Sequence, residues 1–255
     1  MPLEALSREK HKNLRLQPIE QPWAFARELT TVGVVGAEFP ELVRVMPIAF
    51  RLKDGVAHML AVMGLGKQNL FVSQQGTWQG TYIPAALRAW PFSLIRQNNK
   101  HIVAINVDAP VLSTSNGEAL FTDNGEPAER LAKTIEFLQA VGDQEVAMNR
   151  AVAAIVDANV LVPWEFEIRN AEGKTVRITG LHQVDHKAID ALDDAAFLKL
   201  RTAGALPLVY GHWFSQRNVP ALERLAQQRR DPAANDNAAP ALPQALYITD
   251  EYLKF

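Results

Sequence analysis

The spacing of apolar residues changes near Pro127, and this change constrains the fold more than any other feature of the chain. From Asn13 to about Asn124 the apolar runs are short and are separated by turn-forming residues, a pattern typical of strands. After Pro127, apolar residues recur every three or four positions, as in an amphipathic helix. The pattern predicts an α+β protein with a mixed or antiparallel β-sheet in the N-terminal half and a helical C-terminal half that carries one β-hairpin.

Turn signals locate the strands of the first half. The pair Asp54-Gly55 lies between two apolar runs, and such a pair favours the positive φ values of a tight hairpin turn. For the same reason, Asn116-Gly117 predicts a second hairpin. Between these two turns, the run "HIVAINVD" at 101–108 is apolar at nearly every position. This run predicts a central strand that is covered on both faces.

The second half reads mainly as helices. The stretch 128–163 is predicted to form two amphipathic helices, and 164–184 alternates like an antiparallel hairpin with one wet face. Residues 185–230 are predicted to be helical again. Within them, Asp193 or Asp194 is predicted to be an N-cap, and Gly204 is predicted to end the helix.

Composition along the chain predicts its domain organisation. We expect one globular domain at 1–230, made of a β-rich lobe at 1–126 and a helix-rich lobe at 127–230. The stretch 231–244 is nearly all Ala, Pro, Asn and Asp without periodicity, which predicts a flexible linker. The last residues, 245–255, are rich in aromatic and aliphatic side chains. They predict a docking segment, which binds either its own chain or a partner.

Composition also limits the partners and the chemistry. The 255 residues include no cysteine, which excludes disulfides, thiolate metal sites and cysteine nucleophiles and fits a reducing compartment. The net charge of −2 offers no overall attraction for nucleic acid. No apolar run approaches the roughly 20 residues of a membrane helix, and charged residues stand where a signal peptide would be apolar. We therefore expect a cytoplasmic protein that binds no nucleic acid and has no membrane span.

No catalytic or metal-binding motif emerges from the sequence. His182 and His186 are four residues apart, but the first falls at a predicted strand end and the second at a helix start, so their rings would not share a helical face. The sequence also lacks a Gly-x-Ser-x-Gly elbow and a phosphate-binding glycine loop. We therefore assign no catalytic residue, no metal and no cofactor.

The stretch "GTWQGTYIPAALRAWPF", Gly76 to Phe92, is dense in aromatic residues. Trp78, Tyr82 and Trp90 can stack on a ligand, and Arg88 can hold a carboxylate in a bidentate manner. The same residues can instead brace a core around a short helix, "PAALRAW". Both interpretations are open, and the binding hypothesis places a ligand or partner site at these four residues.

Several segments, in this order along the chain, resemble the SapC family of bacterial proteins. These segments are "KHKNLRL" (10–16), "EFPELVRVMPIAF" (38–50), "NLFV" (69–72), the aromatic stretch, "LFTDNGEPAERL" (120–131) and "ITGLHQVDHKAIDALDDAAFLKLRTAGAL" (178–206). The resemblance spans roughly residues 7–225, and the chain departs from the family by its extension beyond about Arg230. The family takes its name from a surface-layer locus and has no reaction attached to it, so the resemblance implies no catalytic residue.

Three functions therefore remain open. The first is a cytoplasmic binding or accessory protein that uses the aromatic stretch to hold a protein partner, a peptide or a small molecule. The second is an enzyme of unrecognised mechanism that acts on a peptide or small aromatic molecule. Its acid and base groups would come from distant positions such as His182, Asp185 and His212. The third is a surface-layer-associated protein. The oligomeric state is not predicted.

Overall fold

The structure is a computed structural model that describes residues 3–98, 100–170 and 172–228. Within these ranges the chain forms two compact units, each built from two separate stretches of sequence. Unit 1 comprises residues 3–22 and 85–144, and unit 2 comprises residues 23–84 and 145–228. The predicted domain and lobe boundaries stay predictions, and the predicted linker (231–244) and docking segment (245–255) lie outside the described residues.

The strands are, in chain order, β1 (Leu3–Ala5), β2 (Arg15–Leu16), β3 (Thr31–Gly33), β4 (Ile48–Lys53), β5 (Val56–Val62), β6 (Gly64–Leu65), β7 (Gln68–Asn69), β8 (Phe92–Gln97), β9 (Lys100–Asn106), β10 (Leu112–Ser113), β11 (Glu118–Ala119), β12 (Leu161–Arg169) and β13 (Thr175–Val184). The α-helices are α1 (Arg8–His11), α2 (Phe39–Val45), α3 (Ala85–Arg88), α4 (Glu129–Asp157), α5 (His186–Asp190), α6 (Asp194–Ala203), α7 (Leu206–Ser215) and α8 (Val219–Gln228). The predicted α+β class is therefore confirmed.

Unit 1 contains two small antiparallel sheets. In one sheet β9 lies between β1 and β8, so residues 101–106 of the predicted run form a central strand. The strand is buried only towards its end, so the expected cover on both faces does not extend to His101. In the other sheet β2 lies between β10 and β11, and each of these neighbours pairs only two residues with it. The start of the chain thus contributes one strand to each sheet, which anchors the segment that carries α1.

The predicted hairpin at Asn116-Gly117 is wrong, because β10 and β11 do not pair with each other. Both pair with β2, on its two sides. Gly117 has φ +96°, and a Cβ on it would overlap the carbonyl oxygen of Leu16. The glycine is needed because the loop passes close to the backbone of β2. In the sequence, this glycine cannot be distinguished from the glycine of a hairpin turn.

The prediction of two helices in 128–163 is also wrong, because α4 runs without interruption from Glu129 to Asp157. Its interior glycine, Gly142, is a close-packing position and does not end the helix. A Cβ on Gly142 would come within 2.7 Å of the His101 Nδ1 and Leu94 Cδ2 atoms, both in unit 1. The absence of a side chain at Gly142 therefore allows the β1-β9-β8 sheet to approach α4.

Unit 2 is built on a five-stranded antiparallel sheet in the order β12-β13-β4-β5-β3. The β4–β5 hairpin turns at Asp54 and Gly55, both with positive φ, as their sequence predicts. The predicted C-terminal hairpin is β12–β13, and it joins the N-terminal strands where His182 pairs with Phe50. Helix α7 packs on α2, and α8 packs on β12.

Gly211 allows the close approach of α7 and α2. A Cβ at this position would overlap the ring of Phe39 and would lie 3.2 Å from the Val43 Cγ2 atom. We expect Gly211→Ala to lower the free energy of unfolding by about 1–3 kcal/mol, as overpacking does. Urea denaturation followed by circular dichroism measures this change.

Gly33→Ala is the matched control for Gly211→Ala, because a Cβ at Gly33 has no neighbour within 4 Å. We expect its unfolding curve to stay close to that of the wild type. In an unconstrained helix interior, glycine to alanine stabilises by about 1 kcal/mol. A gain of that size in Gly211→Ala would contradict the packing argument.

Candidate functional site

The four residues of the predicted aromatic site fall in two different units. Trp78 and Tyr82 belong to unit 2, whereas Arg88 and Trp90 belong to unit 1. Their surroundings are therefore described separately. Their predicted role in ligand or partner binding stays a prediction.

Trp78 is a core residue of unit 2, with 2% of its surface exposed. Its ring stacks on Phe71 at 5.4 Å between centroids and lies 6.0 Å from the ring of Trp23. The indole Nε1 donates a hydrogen bond to the Tyr82 carbonyl oxygen at 3.0 Å. Gly80 makes room for this arrangement, since a Cβ on it would lie 2.9 Å from the Trp78 Nε1 atom. These contacts correspond to the core-bracing interpretation of this residue.

Tyr82 is half-buried, and its hydroxyl donates to the Glu38 Oε2 atom at 3.3 Å. Glu38 is itself buried, and its Oε1 accepts a hydrogen bond from the Val35 backbone N–H at 3.3 Å. A buried carboxylate requires such donors, because its charge is costly to remove from water. The Tyr82 hydroxyl thus satisfies a group inside its own unit.

In unit 1, Arg88 ends the short helix α3 and has 4% of its surface exposed. Its guanidinium carbon lies 5.0 Å from the centre of the Phe137 ring, a cation–π geometry. Trp90 is half-buried and precedes Pro91 through a cis peptide bond. The short helix expected in this stretch is therefore present.

Two of the three groups named for a distributed acid–base site, Asp185 and His212, have structural roles, whereas His182 pairs with Phe50 in the sheet and its buried Nδ1 atom has no hydrogen-bond partner among the described residues. Asp185 caps α5 by accepting a hydrogen bond from the Lys187 N–H. His212 is completely buried, its Nδ1 donates to the Ile48 carbonyl oxygen at 2.8 Å, and its Nε2 accepts from the Val184 N–H at 3.3 Å. Burial lowers the pKa of His212 to about 4, with the hydrogen bond to Ile48 opposing this shift. The imidazole is therefore neutral near pH 7 and has both nitrogens engaged.

In the ranges that the structure describes, no three His, Asp or Glu side chains converge as a metal site would require. Likewise, none of the described helices is both long enough and apolar enough to cross a membrane.

The sequence reasoning missed a cleft of about 550 Å³ in unit 1. Its walls come from the N-terminal segment and from the turns around β10 and β11. The lining residues are Arg8, Lys12, Asn13, Arg15, Thr114, Ala119, Phe121, Thr122, Asp123 and Gly125. The lining carries three basic side chains and one carboxylate, and we call it the cationic cleft.

Backbone pairing assembles the cationic cleft from distant segments. Arg15 in β2 pairs with Ser113 of β10 on one side and with Ala119 of β11 on the other. Beyond β11, the Thr122 N–H donates to the Glu126 carbonyl and closes a turn that contains Asp123. Residues more than a hundred positions apart in the sequence therefore face the same space.

Two of the basic side chains in the cationic cleft have no acidic partner within the described part of the chain. Arg8 and Lys12 form no ion pair with any described residue. The third, Arg15, donates one hydrogen bond to the Gly117 carbonyl oxygen at 2.9 Å. By contrast, Lys10 on the same helix lies 3.5 Å from the Glu4 carboxylate. The cleft thus concentrates positive charge in a chain whose net charge is −2.

Helix α7 presents a second feature that the sequence did not single out. Tyr210 and Phe214 lie one turn apart on it, and Phe214 is 67% exposed. The neighbouring Trp213 ring stacks on His186 at 3.7 Å between centroids. Helix α7 is thus apolar on its buried face and also carries aromatic side chains on its exposed face.

Comparison with known proteins identifies the family. A family model described as SapC matches residues 6–222. No curated protein and no solved structure matches the chain. The matched range includes all the segments that carry the resemblance, and it also includes every residue that lines the cationic cleft. Since the match covers most of the 255 residues, the chain belongs to the SapC family.

Proposed function

We propose that this SapC-family protein is a binding protein whose ligand occupies the cationic cleft of unit 1. The observation that carries the proposal is a cleft of about 550 Å³ in which Arg8 and Lys12 form no ion pair with any described residue. This volume lies within the range of small-molecule sites, about 300–1,000 Å³. An anionic ligand that approaches these two cations neutralises charges that no ion pair with a described residue neutralises.

The chemistry of the lining suits recognition. Guanidinium and ammonium groups bind anions through charge and through several N–H donors. The Asn13 amide and the Thr114 and Thr122 hydroxyls add neutral polar groups, and Phe121 adds an apolar surface. A few polar groups beside an apolar wall are typical of small-ligand sites. In this proposal, Trp78 stabilises unit 2 and does not touch the ligand.

The experiment that tests the proposal blocks the cationic cleft without changing its charge. Ala119 lies on β11 within the lining, so Ala119→Trp fills the space with a neutral side chain. The purified full-length protein is incubated with a small-molecule extract of the cells that produce it. After gel filtration, native mass spectrometry compares the molecules retained by the wild type and by the variant. We expect the wild type alone to retain a ligand.

Ala86→Trp provides the control, because Ala86 is an exposed residue on α3 of the same unit and is outside the lining. It adds the same side chain and should leave retention unchanged. Equal retention by Ala119→Trp and the wild type would contradict the proposed site. A wild-type protein that retains nothing would contradict the proposed function.

The cytoplasmic location predicted from the sequence is part of this proposal. Cell fractionation followed by immunoblotting of the intact protein tests it. We expect recovery in the soluble fraction, whereas recovery with the envelope would favour the surface-layer alternative.

A further inference from the structure

We propose that the ligand of the cationic cleft is a small molecule that carries a dianionic group, either a phosphate monoester or a pair of carboxylates, together with an amine or hydroxyl donor directed at Asp123. This inference rests on the proposed function and specifies the class of ligand. The dianion is assigned to Arg8, Lys12 and Arg15, and the donor is assigned to the opposite charge in the lining.

A dianion matches the charge that the cleft leaves unbalanced. Three basic side chains and one carboxylate line it, which gives a formal excess of two positive charges. Arg8 and Lys12 are four residues apart at α1, where like charges repel each other. A doubly charged group placed between them removes this repulsion and gains charge-assisted hydrogen bonds.

Contacts hold the backbone that carries the two cations and the guanidinium of Arg8. The Ser7 N–H donates to the buried His11 Nδ1 at 3.0 Å, which ties the start of α1 to its last residue. Gly125 has φ +79°, and a Cβ on it would overlap the guanidinium of Arg8. The Arg8 side chain therefore lies flat against backbone that only glycine leaves open. A preorganised cation loses less entropy when it binds an anion.

Asp123 makes the cationic cleft selective. It is the carboxylate of the lining, and it repels a bare phosphate ion that would otherwise fit the three basic side chains. An amine or a hydroxyl donates a hydrogen bond to the same carboxylate. The half-buried ring of Phe121 precedes Asp123 by two residues and offers a surface for the carbon skeleton that joins the two ends of the ligand.

Calorimetric titration of the full-length protein tests the dianion. The probes are O-phosphoserine, inorganic phosphate and malate, a dicarboxylate that carries a hydroxyl donor, each at low and at moderate salt. We expect Arg8→Ala and Lys12→Ala each to weaken the binding of the best organic probe by about tenfold or more, as expected for a lost charge-assisted bond. Lys10→Ala removes the same charge from the same helix outside the lining and should change binding less than about twofold.

The ranking of the probes distinguishes the two dianions. Tighter binding of O-phosphoserine assigns a phosphate monoester, and tighter binding of malate assigns a dicarboxylate. Equal losses in Lys12→Ala and Lys10→Ala would overturn the inference, because they would show a diffuse effect of charge. Failure of all three probes to bind would overturn the ligand class, while the Ala119→Trp comparison would still decide the proposed function.

Asp123→Asn tests the selectivity, because it should change the affinities of two probes in opposite directions. Without the carboxylate, inorganic phosphate should bind more tightly, by about threefold to tenfold, because a repulsion is removed. O-phosphoserine should bind more weakly, because its ammonium loses a charged partner. A variant that merely perturbs the fold would weaken both probes. Parallel changes in the two affinities would therefore overturn the role of Asp123.

Gly125→Ala displaces Arg8 without removing its charge. We expect it to weaken the best organic probe by about as much as Arg8→Ala does. Gly55→Ala is the matched control, since Gly55 also has a positive φ, +77°, but belongs to unit 2, and a Cβ on it would meet no atom within 4 Å. If both glycine variants bind the probe as tightly as the wild type, the placement of Arg8 in the site is overturned.

Discussion

Replacing Trp78 with alanine is expected to lower the free energy of unfolding by about 3–5 kcal/mol, the usual cost of removing a large aromatic side chain from a core. The indole is almost fully buried, stacks on Phe71 and donates a hydrogen bond to the Tyr82 carbonyl oxygen. Truncation therefore leaves a cavity, a ring that has lost its stacking partner and a carbonyl that has lost a donor. Urea denaturation followed by circular dichroism measures the loss.

Trp78→Phe keeps an aromatic ring in the core. It retains part of the ring contact with Phe71 and Trp23 but removes the Nε1 donor and part of the indole volume, so we expect a smaller loss of roughly 1–3 kcal/mol. If Trp78→Ala instead has the stability of the wild type and loses a ligand, the core-bracing interpretation is wrong. The ligand pocket predicted from the sequence would then hold for this residue.

Local signals in the sequence predicted several elements of the fold correctly. The β4–β5 turn follows from Asp54 and Gly55, whose backbone adopts positive φ. The start of α6 follows from Asp193, which accepts a hydrogen bond from the Ala196 N–H at 2.7 Å. The end of α6 follows from Gly204, whose backbone adopts the left-handed conformation. In each case, a few adjacent residues determine the local backbone conformation, so the sequence alone is enough to predict it.

Glycines with a long-range role were misinterpreted for an equally physical reason. The pair Asn116-Gly117 is typical of a hairpin turn. Gly117 is instead needed because its loop passes close to the backbone of β2, which lies about a hundred residues earlier in the chain. Gly142 belongs to the stretch that was predicted to form two helices, yet it lies inside the single helix α4 against His101. A single sequence does not show which backbone or side chain will approach a glycine.

The candidate site was only partly accessible from the sequence. Aromatic density located the stretch around Trp78 but could not tell a core from a pocket, because both use large apolar rings. The cationic cleft was missed for two reasons. The net charge of the whole chain does not reveal a local excess of basic residues, and Arg15 and Asp123 come together only through the pairing of β2 with β11. The closely spaced basic residues Arg8, Lys12 and Arg15 were the available signal.

Acidification is expected to destabilise unit 2 through His212. The unfolded imidazole takes up a proton near pH 6.5, whereas burial lowers the pKa of the folded one to about 4. The unfolded state therefore binds more protons in this interval, so stability is complete above about pH 6.5 and falls as the pH is lowered towards 4. At about 1.4 kcal/mol for each pKa unit, the loss from this residue is about 3 kcal/mol. Urea titrations between pH 7.5 and about pH 4 measure it.

Two variants separate His212 from the other groups that titrate in the same interval. His212→Gln should be less stable than the wild type at pH 7, because the amide lacks the imidazole ring that packs edge-on against Phe50 and Trp164. Its stability should nevertheless fall less steeply with acid. His58→Gln removes an exposed histidine from β5 of the same unit and should keep the wild-type slope. Parallel slopes in the wild type and His212→Gln would show that His212 gains its proton without opening the core, which would contradict the assignment of Nε2 as an acceptor held by the Val184 N–H.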